Sequence, residues 1–146
     1  MDLWSVFFGT PDLGPVTFAT LVRRTSPTDA LIAPTDVCPK AVPDLEPPVF
    51  PLPAERLRAV VAGVAREDPD ATILEQITGP QDRYLVRSRF LRFPDTVNVE
   101  VVARGEGRST VALYGRSQIG RQDFGVNRRR LERWLTRIGA RARASA

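Results

Sequence analysis

Thr96-Val-Asn-Val-Glu-Val-Val-Ala-Arg104, Gly105-Glu-Gly107 and Ser109-Thr-Val-Ala-Leu-Tyr-Gly-Arg-Ser-Gln-Ile119 read as two strands and the turn between them. In the first strand Val97, Val99 and Val101 alternate with Asn98, Glu100 and Val102, the pattern of a strand with one buried and one mostly wetted face. Working outward, Thr72–Thr78 and Arg83–Phe93 are two further strand candidates, set off by Gly79-Pro80 and by Pro94-Asp95. Turns this short favour an antiparallel meander. Beyond the strands lie two amphipathic helices. Leu57, Val60, Val61 and Val64 recur at i, i+3, i+4 and i+7 before Asp68-Pro69-Asp70 ends the run. Leu131, Trp134, Leu135 and Ile138 do the same in a segment from about Phe124 to Arg141, with Asp123 as its expected N-cap. The order α-β-β-β-β-α predicts an α+β two-layer sandwich over residues 54–146. Its four-stranded antiparallel sheet would carry both helices on one face, so that Trp134 packs beside Leu57 and Val61.

Residues 1–53 differ in kind. They hold ten of the 13 prolines, and no stretch among them sustains a helical or alternating period, which predicts a Pro-rich extended N-terminal arm. Its apolar side chains, among them Trp4, Phe18, Leu31, Ile32 and Phe50, are too many for a solvated tail. Residues 16–53 are expected to wrap their own domain. For residues 1–10 a second reading stands beside self-wrapping: Leu3, Trp4, Phe7 and Phe8 form a docking element for a partner protein or a membrane interface.

Composition narrows the chemistry by exclusion. Among 146 residues there is no histidine and one cysteine, Cys38, so Ser-His-Asp and Cys-His centres, histidine acid/base catalysis and an intrachain disulfide are all excluded. Cys38, followed by proline, reads as an apolar filler. The net charge of +4 conceals a division at Asp82: residues 1–82 carry −6 and residues 83–146 carry +10, with arginine supplying every basic group except Lys40. On the second strand Arg83, Arg87 and Arg89 alternate with Tyr84, Val86, Ser88 and Phe90, so the arginines should face outward or meet the arm. Basic and aromatic residues interleave there, but the motif spelling of an RNA-reading strand is missing, and nucleic acid is not the expected partner. Leu3–Phe8 follows Asp2 rather than a basic region and is too short for a signal peptide, and no apolar run reaches membrane-spanning length. A cytoplasmic location is expected, with peripheral attachment to the inner membrane through partners.

The most distinctive stretch runs from Tyr114 to Arg130, through Ser117, Gly120, Asp123, Gly125, Asn127 and Arg128; upstream lie Arg87, Ser88, Phe90, Phe93, Pro94 and Asp95. Together they resemble the domain-of-unknown-function 1499 family of bacteria and plant plastids, whose pattern is a strand ending in Ser-Arg/Gln-x-Gly followed by Asp-x-Gly-x-Asn-Arg-x-Arg. The resemblance covers roughly residues 36–141, and Cys38-Pro39 is similar to the family's Cys-Pro start without its usual second cysteine. It implies a domain and no established activity. Physically, Gly120 and Gly125 suit a tight strand-to-helix turn, and Asp123 suits a cap, so Ser117, Gly120, Asp123 and Gly125 read as architecture. A second reading is an anion held at the helix start by Arg121, Asn127 and Arg128, opposed by the carboxylate of Asp123 at the same end.

These readings converge on a non-enzymatic interaction protein, an accessory or scaffold subunit of a larger bacterial assembly such as a membrane respiratory complex. Its expected partners are protein subunits, and no catalytic residue, cofactor or metal is expected. A binding module for an anionic lipid or metabolite on the arginine-bearing face is one alternative, and a weak Asp/Arg-based hydrolase or transferase is another.

Overall fold

The computed structural model describes residues 12–88, 94–117 and 123–146. The protein is α+β, with strands β1 (Asp29–Ile32), β2 (Ala71–Ile77), β3 (Asp82–Ser88), β4 (Pro94–Ala103) and β5 (Ser109–Ser117), and helices α1 (Ala54–Arg66) and α2 (Val126–Ser145). The strands form one antiparallel sheet in the order β1-β5-β4-β3-β2.

The sheet therefore has five strands where the sequence predicts four. The added strand, β1, comes from the proline-rich arm and pairs Asp29 with Arg116 and Ile32 with Leu113. Ala30, Leu31 and Ile32 are all buried, so the strand has no wetted face and shows no alternation, and four residues are too few to establish a period. A second correction concerns Pro94-Asp95, expected as a turn. Both residues belong to β4, opposite Arg87 and Val86. Proline is tolerated as the first residue of a strand.

Register sorts the side chains. Val97 stands between Tyr84 and Gly115, and Val99 opposite Leu113. These positions form one apolar cluster with Leu57, Val61 and Val64 of α1 and Leu131, Trp134 and Ile138 of α2. The Trp134 and Tyr84 rings meet in a T-shaped arrangement, 5.8 Å between centroids and inclined at 87°. The alternate positions Leu31, Ala112 and Tyr114 pack instead with Phe18, Ala33 and Cys38 of the N-terminal segment. The outer edge of β1 is covered by residues 44 and 45: the Leu31 amide donates to the Asp44 carboxylate, the Asp44 amide to the Leu31 carbonyl, and the Ala33 amide to the Leu45 carbonyl. At the opposite edge, β2 is irregular between Ile73 and Glu75.

One acid missed in the sequence fastens α1 to α2. Asp68, just beyond α1, accepts from Trp134 Nε1 at 2.8 Å and from Arg133 Nε and Nη2 at 2.9 and 2.6 Å. Burial acts to raise the Asp68 carboxyl pKa, but these donors and the Asp70 amide together hold it below the ordinary carboxylate value. The apolar body of a buried tryptophan is satisfied by packing; its N–H needs an acceptor, and Asp68 supplies it.

Candidate functional site

The family-like motif folds into a buried polar joint where β4 and β5 meet the start of α2. α2 begins at Val126, with Gly125 in the N-cap position at φ 76° and Phe124 just before it at φ 55°. Asp123 therefore does not occupy the N-cap as expected. It reaches forward from two residues earlier, accepting the Gly125 amide at 2.8 Å and the Asn127 amide at 3.4 Å. Gly125 is required by its left-handed backbone, which would strain most other residues.

Asn127 is the hub. Its Nδ2 donates to Ser117 Oγ and to Asp123 Oδ2, both at 3.0 Å, and its Oδ1 accepts from Arg130 Nη1 at 3.2 Å. Gly115 makes room for it, since a Cβ there would lie 2.8 Å from Asn127 Oδ1. Arg130 Nη1 also donates to Asp95 Oδ2 at 2.8 Å, in an ion pair whose members are 1% and 3% exposed. Burial pushes the Asp95 carboxyl pKa up, and Arg130 and Ser117 offset that only in part. Arg130 Nε has no hydrogen-bond partner among the described residues. The joint is tied to the segment leading into β1 as well: the Ser117 amide donates to the Thr28 carbonyl, and Arg24 Nη1 to the Ser117 carbonyl at 2.7 Å.

Ser117, Asp123, Gly125 and Asn127 are thus brought together, whereas Arg128 is separated from Asn127. Asn127 is buried with its amide committed inside the joint, while Arg128 is exposed and pairs with Glu132 at 2.8 Å. Gly120 and Arg121, and the docking candidates Leu3, Trp4, Phe7 and Phe8, lie outside the described residues. Sequence reasoning missed Arg130 as a buried group. It sits four residues before Trp134 and so falls on the inward stripe of α2.

A second feature is the sheet face bearing Arg83, Arg87 and Arg116, which residues 12–16 cross. Arg83 grips the Asp12 carboxylate with Nε at 3.2 Å and Nη2 at 3.0 Å. Arg116 Nη2 donates to the carbonyls of Leu13 and Gly14, and Asn98 Nδ2 to the Gly14 carbonyl. Gln81 clamps Val16 from both sides, accepting its amide at 3.1 Å and donating to its carbonyl at 2.8 Å. Arg83 and its neighbours hold the Asp12 carboxyl below its ordinary pKa against the opposing effect of burial. Burial pulls the Arg116 guanidinium pKa down, and Arg24 and Arg83 reinforce that. Beyond the clamp, residues 15–19 and the β2–β3 turn enclose a cavity of about 650 Å³.

No group of histidine, cysteine, aspartate or glutamate side chains among the described residues is placed to hold a metal ion, and no helix described is long and apolar enough to cross a membrane. The site defines a small α+β domain with a buried polar joint between sheet and second helix. Residues 23–138 match the family model described as protein of unknown function (DUF1499), and the chain belongs to that family. No curated protein and no solved structure matches the chain.

Proposed function

We propose that this protein is a non-enzymatic interaction subunit of a larger bacterial assembly, with its N-terminal arm as the docking element. The observation that carries this reading is how the motif spends its polar groups. Asp123, Asn127, Ser117, Asp95 and Arg130 bond to one another inside the fold, at 5% exposure or less. Acids and amides committed in this way hold a strand against a helix; they do not face a substrate. The two helices form one layer in this reading, supported by the single cluster that Trp134, Leu57 and Val61 share.

The arm is fastened at Asp12–Val16 by side chains of the sheet. A docking segment ahead of Asp12 would then be tethered to the domain through the contacts of Asp12–Val16. Leu3, Trp4, Phe7 and Phe8 are the side chains that would fill a partner's pocket, where each anchor contributes upward of about 2 kcal/mol. Through such a partner, a membrane respiratory complex being the first to test, the protein would sit peripherally at the inner membrane.

The test is native purification in gentle detergent of the full chain and of a chain lacking residues 1–10. The full chain should co-migrate stoichiometrically with other subunits. The truncated chain should keep its Tm and lose association by orders of magnitude, since about 1.4 kcal/mol is a factor of ten. Unchanged co-purification of the truncated chain would defeat the proposal.

A further inference from the structure

The cavity beside the arm clamp has the size of a small-molecule site, which usually falls at about 300–1,000 Å³, and its volume is about 650 Å³. Its walls are mostly apolar: Val16 and Phe18 from the arm, Val37, and Ile77 and Pro80 from the β2–β3 hairpin. Gln81 lines it too, with its amide occupied by both backbone groups of Val16 and by Asn98.

Two charged side chains line this space, and they differ in what they have left to offer. Arg83 is neutralised by Asp12 through two parallel bonds. Glu100 has neither an ion pair nor a hydrogen bond among the described residues. It lies on β4 opposite Ala112, two residues beyond Asn98, on the same sheet face as Arg83. Against an apolar wall the uncompensated charge is therefore a single carboxylate. A carboxylate beside apolar surface is stabilised by an opposite charge that brings its own apolar body, because such a guest satisfies the charge and buries the wall together.

We propose that the cavity between residues 15–19 and the β2–β3 hairpin binds a small amphipathic cation, with its ammonium on Glu100 and its hydrocarbon against Val16, Phe18 and Ile77. This differs in sign from the anion that the arginines of the same face suggest. Asp12 already occupies Arg83, and Arg116, whose Nη2 donates to the carbonyls of Leu13 and Gly14, does not line the cavity. The proposal is independent of docking through residues 1–10, and deletion of those residues should leave it intact.

Titration calorimetry of the full chain with decylammonium and decanoate, each below its micelle concentration, and with decanol below its solubility limit, tests it. Decylammonium should bind saturably at one site, at least tenfold more tightly than decanol, and decanoate should not bind. Glu100→Gln should reduce decylammonium affinity at least tenfold and leave decanol unchanged. Ala19→Trp, placed to fill the exposed rim, should weaken both, with the Tm of each variant showing that it folds. No saturable decylammonium binding, decanoate or decanol binding as tight as decylammonium, or full affinity in either folded variant would overturn the proposal. If Glu100→Gln fails to fold, the wild-type ranking of the three probes and Ala19→Trp decide it.

Discussion

Removing Asp95 tests most directly whether the motif is architecture. Arg130 is 1% exposed, and Asp95 Oδ2, at 2.8 Å, is the carboxylate that compensates its charge; its other bond goes to the neutral Asn127 Oδ1 at 3.2 Å. Asp95→Ala leaves a guanidinium in the interior with one amide acceptor. Breaking a buried pair in this way costs about 3–5 kcal/mol, a large part of the roughly 5–15 kcal/mol that holds a domain folded. For a domain near this size each kcal/mol moves Tm by about 2–4 °C, so the expected fall is about 6–20 °C. The companion variant is Asp95→Leu with Arg130→Met, which removes both charges and keeps apolar volume in the joint. It should recover most of the loss, because the penalty lies in the orphaned charge and the pair itself contributes little net. Urea denaturation followed by tryptophan fluorescence gives the midpoint and slope for each chain. A loss below about 1 kcal/mol for Asp95→Ala would refute the argument. A double variant that is no more stable than the single would refute it equally.

Gly115→Ala should cost about 1–3 kcal/mol, because the new methyl carbon would stand 2.8 Å from Asn127 Oδ1; a chemical melt within error of wild type would show that the joint yields. Asp68 is held below its ordinary pKa in the folded state, so its contribution to stability is present above the unfolded carboxylate range and fades as pH falls through the lower folded value. Asp68→Asn should flatten the acid limb of a stability-against-pH curve, and an unchanged limb counts against the assignment. Tyr84 Oη is buried with no hydrogen-bond partner among the described residues. Tyr84→Phe should therefore be neutral or stabilising by up to about 1 kcal/mol, and a loss above that would reveal a partner. Burial and the Asp82 carboxylate push the Tyr84 phenol up to about 12. The stability tied to its neutral form is present below the unfolded value and lost as pH rises toward 12, which an alkaline titration of the Phe variant should show as a missing component.

The central hairpin was legible because Val97, Val99 and Val101 repeat at period 2, and the helices because Leu57, Val61, Leu131 and Trp134 repeat near 3.6. What failed to show was governed by partners distant in sequence. β1 is a strand because β5 lies beside it more than 80 residues downstream, and burial on both faces erases the alternation that would reveal it. Pro94 reads as a turn residue locally, yet at the first position of β4 its missing N–H is tolerated. In the joint, the resemblance marked Asp95, Asn127 and Arg130 without saying what they bind. The i, i+4 spacing from Arg130 to Trp134 was the available signal, masked by the neighbouring Arg128 and Arg129, which face solvent. Asp68 looked like a helix stop, and its other role depends on Trp134 and Arg133, 66 and 65 residues away.

The covering of β1 by Asp44 and Leu45 bears on what a second copy of the chain would meet at the sheet edge. An open sheet edge is a row of free amides and carbonyls that templates further strands, and exposed edges are where folded chains begin to aggregate. Here Leu31 spends its amide on a side-chain carboxylate and its carbonyl on the Asp44 amide, so an incoming strand finds neither. At the far edge, the irregularity between Ile73 and Glu75 breaks the spacing that a flat ladder needs. Strand addition is thus blocked at Leu31 on one edge and meets an irregular ladder on the other, so neither edge offers a second copy an uninterrupted template.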